Sequence, residues 1–441
     1  MKITIAGTGY VGLTNAVGLA SKGHLVFCVD RIRKKVDKIS KGVPVIYEEG
    51  LDELLKSVLK KEKLIPTTDL TGSVQKSDVC FICVGTPSYQ DGSINLTQVK
   101  EAAKQIGKAL IGRKQYGVVV VKSTVIPGTT ENLVLPALER YSKKKAGKDF
   151  GVCMTPEFLR EGRAVKDFLF PNEQGIIIGE FDKKSGDVLY DVYRDFGAKI
   201  LRTDLKAAEM IKYARNSYLA LDISFANEIA NFCQEIDVDY LDVKSGMEMD
   251  SRIGTGRFLS AGVGFGGSCF PKDVKAIVAK AKEIGIKPKM LEATLEVNYA
   301  QPSKLIELTK QVIGQFKGKK IGVLGLAFKP GTDDLREAPA IKVINDLLLE
   351  GAEVFAYDPE ALNNAKKIFG DKIVYASSAE QAITSVDACV IVTEWPEFKD
   401  PKLYSKMQSK IIIDGRRVLD PGLLPAGFTY HAIGFPKCIE T

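Results

Sequence analysis

Lys2-Ile3-Thr4-Ile5-Ala6-Gly7-Thr8-Gly9-Tyr10-Val11-Gly12 is the stretch that decides the fold. A short apolar run leads directly into Gly-x-Gly-x-x-Gly, and the residues after Gly12 read as a helix. An acidic residue, Asp30, closes the next apolar run 23 positions after Gly7. Strand, glycine turn, helix and acidic strand end together form a dinucleotide-binding fingerprint. The glycines of Gly7–Gly12, with Tyr10 and Val11 between them, let the backbone approach a pyrophosphate, and the helix N-terminus stabilises its charge. Asp30 would accept hydrogen bonds from ribose hydroxyls and repel a 2′-phosphate, so NAD is the expected cofactor rather than NADP. Lys35, one helical turn further on, is within reach of the same ribose, although a solvated lysine is the simpler reading.

Outward from this unit, strand-like runs near 2–6, 25–29, 79–84, 117–121, 150–154, 175–179 and 199–202 alternate with helical stretches. That alternation argues for a parallel sheet covered by helices. Two further turns, Val84-Gly85-Thr86-Pro87 and Lys122-Ser123-Thr124-Val125, leave strand ends where such a sheet places its ligand crevice; the hydroxyls of both are equally suited to capping helices. From Asp204, read as an N-cap, a long helical pattern free of glycine and proline runs to about Asp237. More helix follows towards Phe316, interrupted by a glycine-rich loop from Gly254 to Gly267. At Lys319 the alternation restarts: strand 321–326, helix 340–350, strand 354–357 ending at Asp358. The fold class is therefore α/β, two doubly wound Rossmann-like domains joined by a central long-helix region. The expected division is 1–203, 204–316 and 317–441. The long helix is a natural surface for a homodimer or higher homo-oligomer, and a buried role within one chain suits it equally.

Composition excludes several classes. With 441 residues, 45% hydrophobic and 27% charged, the chain can bury large cores without metals or disulfides. No apolar run approaches the ~20 residues that span a bilayer, and the N-terminus enters a strand without a signal-like sequence. The expected location is the cytoplasm, with no membrane partner. A net charge of +7 is modest, and the basic runs are short and free of interleaved aromatics. That speaks against nucleic acid and suits an anionic small ligand. The eight cysteines are scattered. Cys80 and Cys83, three apart along a strand, point to opposite faces, and no second pair follows at zinc spacing. No metal site is expected. His24 and His431 stand alone and read as structural residues, which speaks against histidine catalysis.

Four segments carry more chemistry than the dinucleotide turn. They are Pro156-Glu157-Phe158-Leu159-Arg160-Glu161-Gly162, the pair Lys212 and Asn216, Gly264-Phe265-Gly266-Gly267-Ser268-Cys269-Phe270-Pro271-Lys272-Asp273, and Phe328-Lys329-Pro330-Gly331-Thr332-Asp333-Asp334-Leu335-Arg336-Glu337. Lys212 and Asn216, four apart, project from one helix face. Pro271 fits the first position of a helix. Cys269 then lies just before a helix N-terminus, whose dipole favours a thiolate. Glycines ahead of it let a ligand approach, and Asp273 falls in the first helical turn. A buried structural cysteine is the alternative, but the neighbours are glycine and charge, not a core stripe.

In this order the segments resemble the UDP-glucose/GDP-mannose dehydrogenase family, over essentially the whole chain, and most closely its UDP-glucose branch. The resemblance implies an NAD domain, a central helical region and a UDP-binding domain. It also implies oxidation of a nucleotide-sugar at carbon 6 in two hydride transfers without release of the aldehyde. Cys269 would add to the aldehyde and carry the acyl group as a thioester. Lys212 and Asn216 would donate hydrogen bonds to the oxygen at the reacting carbon, and Asp273, Thr124 and Glu157 would position or activate water. Glu161 would shape the sugar end of the site. Phe158, Leu159, Arg160, Phe258 and Gly266 complete the expected substrate side, while Thr86, Thr124, Glu161 and Arg336 join the cofactor side. Lys329 and Arg336 match family positions near the nucleotide ligands. Arg252 matches an arginine that the family brings in from a neighbouring subunit, and Arg416 or Arg417 is a further candidate. One departure is local: Pro171-Asn172-Glu173-Gln174-Gly175 is about two residues longer than the usual family segment and acidic where a basic residue is usual.

Competing readings stay open at the level of the sequence. GDP-mannose or a UDP-N-acetylhexosamine would use the same chemistry. A β-hydroxyacid dehydrogenase would need neither the cysteine nor a third α/β domain. An NAD-responsive binding protein would have no use for a nucleophile.

Overall fold

The computed structural model describes residues 1–254, 258–436 and 439–440. Positions 255–257 of the glycine-rich loop, and Cys438, lie outside the described residues. The chain divides into two compact units, Met1–Arg215 and Asn216–Thr441.

The first unit is built on eight strands: β1 (Lys2–Ala6), β2 (Leu25–Val29), β3 (Leu64–Thr67), β4 (Val79–Ile82), β5 (Val118–Val121), β6 (Gly151–Met154), β7 (Ile176–Glu180) and β8 (Ile200–Thr203). Their order is β3-β2-β1-β4-β5-β6-β7-β8. The direction of winding changes between β1 and β4, so the turn after β1 opens on the crevice of a doubly wound sheet. Every residue of β4, β5 and β6 is buried, as expected for central strands covered on both faces. Cys80 packs with Ile82 and Val119 in one core cluster, and Cys83 with Ile3 and Val118 in the other. Burial pushes the Cys83 thiol up to about 12.

Two features differ from the sequence expectation. β3, Leu-Ile-Pro-Thr, lacks alternation and contains Pro66; it survives as an edge strand, where a missing N–H is tolerated. The sheet is also not wholly parallel, because β7 pairs with β6 antiparallel. Residues 155–175 do not carry the chain back across the sheet, so β7 starts from the end at which β6 stops.

Asp204 caps the long helix Leu205–Glu235 through the Ala207 N–H, 2.8 Å from Oδ1. In the second unit follow helices Tyr240–Glu248, Phe270–Glu283 and Lys289–Ile313. A second sheet is then formed by β9 (Lys320–Leu324), β10 (Glu353–Tyr357), β11 (Val374–Tyr375), β12 (Ala388–Ile391), β13 (Ile411–Asp414), β14 (Thr429–Ala432) and β15 (Ile439–Glu440), in the order β11-β10-β9-β12-β13-β14-β15. Only β15, among the described strands of this sheet, runs antiparallel to its neighbour. One continuous core joins Ala226, Ala230, Tyr240 and Leu305 of the helices to Ile321, Val323 and Val390 of the sheet.

The two sheets repeat one device and use it differently. After β1, Gly7 has φ +106°, and a Cβ there would meet the Cys83 carbonyl oxygen at 2.6 Å; after β9, Gly325 has φ +89°, and a Cβ would meet Thr393 at 2.5 Å. Asp30 and Asp358 each follow the second strand of their repeat. Asp358 is fully buried and accepts five donors: the N–H groups of Leu326, Ala327, Glu360 and Ala361, and the Trp395 indole. It is a structural carboxylate.

Candidate active site

In the first unit the turn after β1 borders a cleft of about 380 Å³ lined by Gly7, Gly9, Asp30 and Gly85, among others. The glycines are not equivalent. A Cβ on Gly12 would fall 1.9 Å from the Gly7 carbonyl oxygen, so Gly7 and Gly12 are demanded by packing. Gly9 caps the helix Tyr10–Ser21 in an extended conformation open to any residue, φ −74°, ψ −165°, and a Cβ there would meet nothing within 4 Å. Its missing side chain serves no neighbour in the protein, which fits a ligand pyrophosphate lying against the helix N-terminus. No acidic side chain in the first turn competes with such an anion.

Asp30 faces this cleft in a prepared state. One carboxylate oxygen accepts from the Thr8 hydroxyl at 2.6 Å and the Thr8 N–H at 3.1 Å; the other accepts from the Ile32 N–H at 2.9 Å. Burial pushes its carboxyl up, but the Thr8 hydroxyl, the Ile32 N–H and nearby Lys35 outweigh that and hold it below its ordinary value. Lys35 is more than a solvated lysine: its ammonium lies 3.7 Å from Asp30 on the cleft wall. Neither turn hydroxyl is a helix cap. Ser123 donates to the Val84 carbonyl at 2.7 Å, tying the end of β5 to the end of β4, and Thr86 and Thr124 lie half-buried beside these ends.

Tyr10 adds a link that the sequence does not announce. Its hydroxyl donates to the Tyr47 carbonyl at 2.9 Å and to buried Glu48. Glu48 also accepts from the Gly162 N–H at 3.0 Å and the Ala164 N–H. The dinucleotide turn and the end of the Pro156–Gly162 segment are thereby held by one carboxylate, with buried Glu161 beside it.

Glu157 and Lys212 form a buried ion pair. The Lys212 ammonium donates to Glu157 Oε1 at 3.1 Å and to the Glu157 carbonyl at 2.7 Å. The other carboxylate oxygen accepts from the Leu159 N–H at 2.8 Å. Burial pushes this carboxyl up; Lys212 and the Leu159 N–H, with Lys122, more than reverse it and hold it below its ordinary value. Phe158 lies under two cations, with Arg215 at 3.8 Å from its ring centroid and Lys212 at 5.4 Å. The Arg160 guanidinium is engaged by Asp167 at 2.7 Å and by Glu173 at 3.0 Å. The lengthened acidic segment thus reaches back to brace the Pro156–Gly162 turn, and what Arg160 holds in the structure is that brace.

In the second unit Cys269 is the N-cap of helix Phe270–Glu283, half-buried, with Ser268 Oγ 3.5 Å from its sulfur. The helix begins at Phe270, so Pro271 stands one position later than the sequence suggests. Asp273, buried in the first turn, accepts from Asn216 Nδ2 at 2.6 Å and pairs with Lys272. The loop ahead of the cysteine is fixed by close packing. A Cβ on Gly266 would lie 2.3 Å from the Glu337 carbonyl, and the Gly267 N–H donates to the Arg336 carbonyl at 2.8 Å. Asn298, missed in the sequence because it looks like any polar residue of a helix, brackets the Phe265 peptide from both sides at 2.7 and 3.0 Å.

The remaining expected residues divide. Phe258 packs edge-on against Phe270, centroids 6.2 Å apart. Arg252 and Arg336 are exposed, each paired with an acidic residue two positions earlier, Asp250 and Asp334. Lys329 lies over the Phe328 ring at 5.7 Å. Arg416 donates to the Gly264 carbonyl at 3.0 Å, and Arg417 to Asp239, so both brace loops of the second unit.

A cleft at the glycine turn of one Rossmann-type unit, and a helix-capping cysteine in the unit that carries a second such sheet, define the class as dinucleotide-dependent oxidoreductases. The comparisons with known proteins narrow it. The NAD binding domain of the UDP-glucose/GDP-mannose dehydrogenase family matches residues 1–197, its central domain 206–300 and its UDP binding domain 322–421. The chain belongs to this family. A UDP-glucose 6-dehydrogenase of Bacillus subtilis is 42% identical over 99% of this chain and 93% of its own. The solved UDP-glucose dehydrogenase of Pyrobaculum islandicum superposes with a TM-score of 0.90, 37% identity, and coverage of 98% and 97%. The UDP-D-ManNAc dehydrogenase of Pyrococcus horikoshii gives 0.86, 30%, 98% and 99%. Among the described residues no helix is long and apolar enough to cross a membrane.

Proposed function

We propose that the protein oxidises the primary alcohol of UDP-glucose to the carboxylate of UDP-glucuronate with two equivalents of NAD. The observation that carries the reading is Cys269 at the N-cap of its helix, with the Asn216–Asp273 pair in the same unit. NAD, when bound, supplies the acceptor for both hydrides. The ionised Glu157, with Thr124, holds the water that takes the alcohol proton in the first oxidation. Lys212 and Asn216 donate to the oxygen on carbon 6 as negative charge gathers there. The Cys269 thiolate then bonds to the aldehyde carbon, giving a thiohemiacetal whose oxidation leaves a thioester. Asp273 steers a water onto that thioester; the carbon–sulfur bond breaks, the acid forms, and the thiol is restored.

Residues 1–203 would serve the cofactor, 204–316 the catalytic cysteine and 317–441 the UDP moiety. Tyr218, Phe225 and Phe232 recur every seven residues on the long helix and are 62%, 46% and 64% exposed, which supports a homodimer through that face. The described cysteines are all free thiols, in keeping with the cytoplasm.

The test is stoichiometry. With NAD and UDP-glucose, the wild-type protein should form two reduced cofactors per sugar consumed. Cys269→Ala should stop at or below one, with the aldehyde retained. Acid release by Cys269→Ala at near wild-type rate would remove the thiol from the mechanism, and no turnover of UDP-glucose by the wild type would remove the substrate.

A further inference from the structure

Lys122 stands where a wholly apolar strand stops being apolar. It follows the four buried valines of β5 and is itself only 6% exposed. Its backbone N–H donates to the Ile82 carbonyl at 3.0 Å, so its place beside β4 is fixed. Its side chain lines a cavity under the Pro156–Gly162 turn, together with Glu157, Phe158, Phe168 and Tyr193. The ion-pair position on Glu157 is taken by Lys212 at 3.1 Å. Lys122 has an aromatic face instead, its ammonium 5.8 Å from the Tyr193 ring centroid.

A buried cation without a carboxylate against it is costly, and burial pulls this ammonium down to about 8. The groups around it are Cys83 just after β4, Glu157, Lys212 from the long helix, Tyr193 from the helix Lys183–Tyr193, and Asp167. Burial holds the Cys83 thiol and the Tyr193 phenol neutral, and the Asp167 carboxylate is held by Arg160. The anion left for the field of Lys122 to act on is Glu157: burial pushes that carboxyl up, Lys212 and the Leu159 N–H bring it down, and Lys122 adds to them in the same direction.

We propose that Lys122, a second buried ammonium group lining the same cavity as Glu157, is a positioning residue for it, keeping that carboxylate ionised when Lys212 turns its own ammonium to the sugar oxygen. The inference rests on the dehydrogenase reading above for its kinetic consequence, though not for the electrostatic one. Without Lys122, Glu157 should lose protons only at higher pH, so the acidic limb of activity moves upward.

The experiment compares wild type, Lys122→Met and Glu157→Gln, each full length, with NAD and UDP-glucose across the pH range in which they remain folded. Lys122→Met should displace the acidic limb of kcat upward by about one pH unit, with activity about tenfold lower on that limb and near wild type on the alkaline side. KM for NAD should not move. In the Glu157→Gln background, Lys122→Met should add no further shift. A loss uniform across pH, or an equal displacement with Glu157 already replaced, would overturn the proposal. If Lys122→Met does not fold, Lys122→Arg should keep the limb in place and Lys122→Gln should move it; identical profiles for the two refute the idea. The carboxyl infrared band that disappears in Glu157→Gln follows the same titration without turnover. That band should shift upward in the Lys122 variant even if UDP-glucose proves to be the wrong substrate, and an unshifted band ends the inference by itself.

Discussion

Gly9→Ala should separate the glycine that serves a ligand from those that serve the fold. A Cβ at Gly9 meets no atom within 4 Å, and φ −74°, ψ −165° suits any L-residue. The structural penalty is confined to a poorer helix cap, about 0.5–1 kcal/mol. A less flexible unfolded chain offsets about 0.4–1 kcal/mol of it. The melting temperature should stay within about 2 °C of wild type. Gly7→Ala is the opposite case: φ +106° and a contact of 2.6 Å to the Cys83 carbonyl oxygen should cost at least about 2 kcal/mol, or a fall of roughly 4–8 °C. For the cofactor the ranking reverses. A methyl group at position 9 stands where the pyrophosphate must approach, and losing one charge-assisted hydrogen bond costs about 1.5–3 kcal/mol, roughly ten- to a hundredfold in affinity. Titration of NAD by calorimetry, beside thermal melting of both variants, measures the two quantities. A Gly9→Ala protein that binds NAD within about twofold of wild type, or that melts as low as Gly7→Ala, would refute the placement of the cofactor.

Two further outcomes follow from charges. Asp30→Ser should narrow the preference for NAD over NADP by roughly tenfold or more, as the anion that would face a 2′-phosphate is gone; kcat/KM for each cofactor measures it, and an unchanged ratio removes Asp30 from the ribose. Asp239→Asn strands the buried Arg417 guanidinium, which Asp239 holds at 2.8 Å on two nitrogens, and should destabilise the protein by about 2–3 kcal/mol at neutral pH. Burial pushes the Asp239 carboxyl up, but Arg417 and the Leu241 N–H outweigh it and hold it below its ordinary value. The stabilisation is therefore complete above the unfolded value of about 3.9 and is lost as pH falls through the folded one. The gap in melting temperature between wild type and variant should shrink in acid; a gap that widens there contradicts the ion pair.

The features legible in the sequence were those with a strong local cause. The strand–glycine–helix unit needs no distant partner, and neither does the Asp204 cap or the run of valines in β5. The antiparallel β7 was not legible, because a strand's sequence records its burial and not its direction. β3 was lost to Pro66. In the site, Cys269, Asn216 and Asp273 were visible through the motifs around them, whereas Glu48 and Asn298 were not. Each holds a loop far away in the chain, Glu48 by accepting from two backbone N–H groups and Asn298 by accepting from one and donating to a carbonyl, tasks that a carboxylate and an amide can perform from any surrounding sequence. Lys122 left a sign: a lysine directly after four valines is out of place in a buried strand unless something there uses its charge.

The two carboxylates at equivalent points of the two sheets also bear on how the chain can change. Asp358 is tied to five donors, more than the roughly four lone-pair sites of a carboxylate, so any replacement strands several buried N–H groups at once. Asp30 lines the cleft, and its side-chain neighbours are Thr8 and Lys35. A substitution at Asp30 releases three donors, two of them on Thr8 and one on Ile32, where a substitution at Asp358 releases five. Of two copies of one structural device, one faces a cleft and the other is locked into scaffolding.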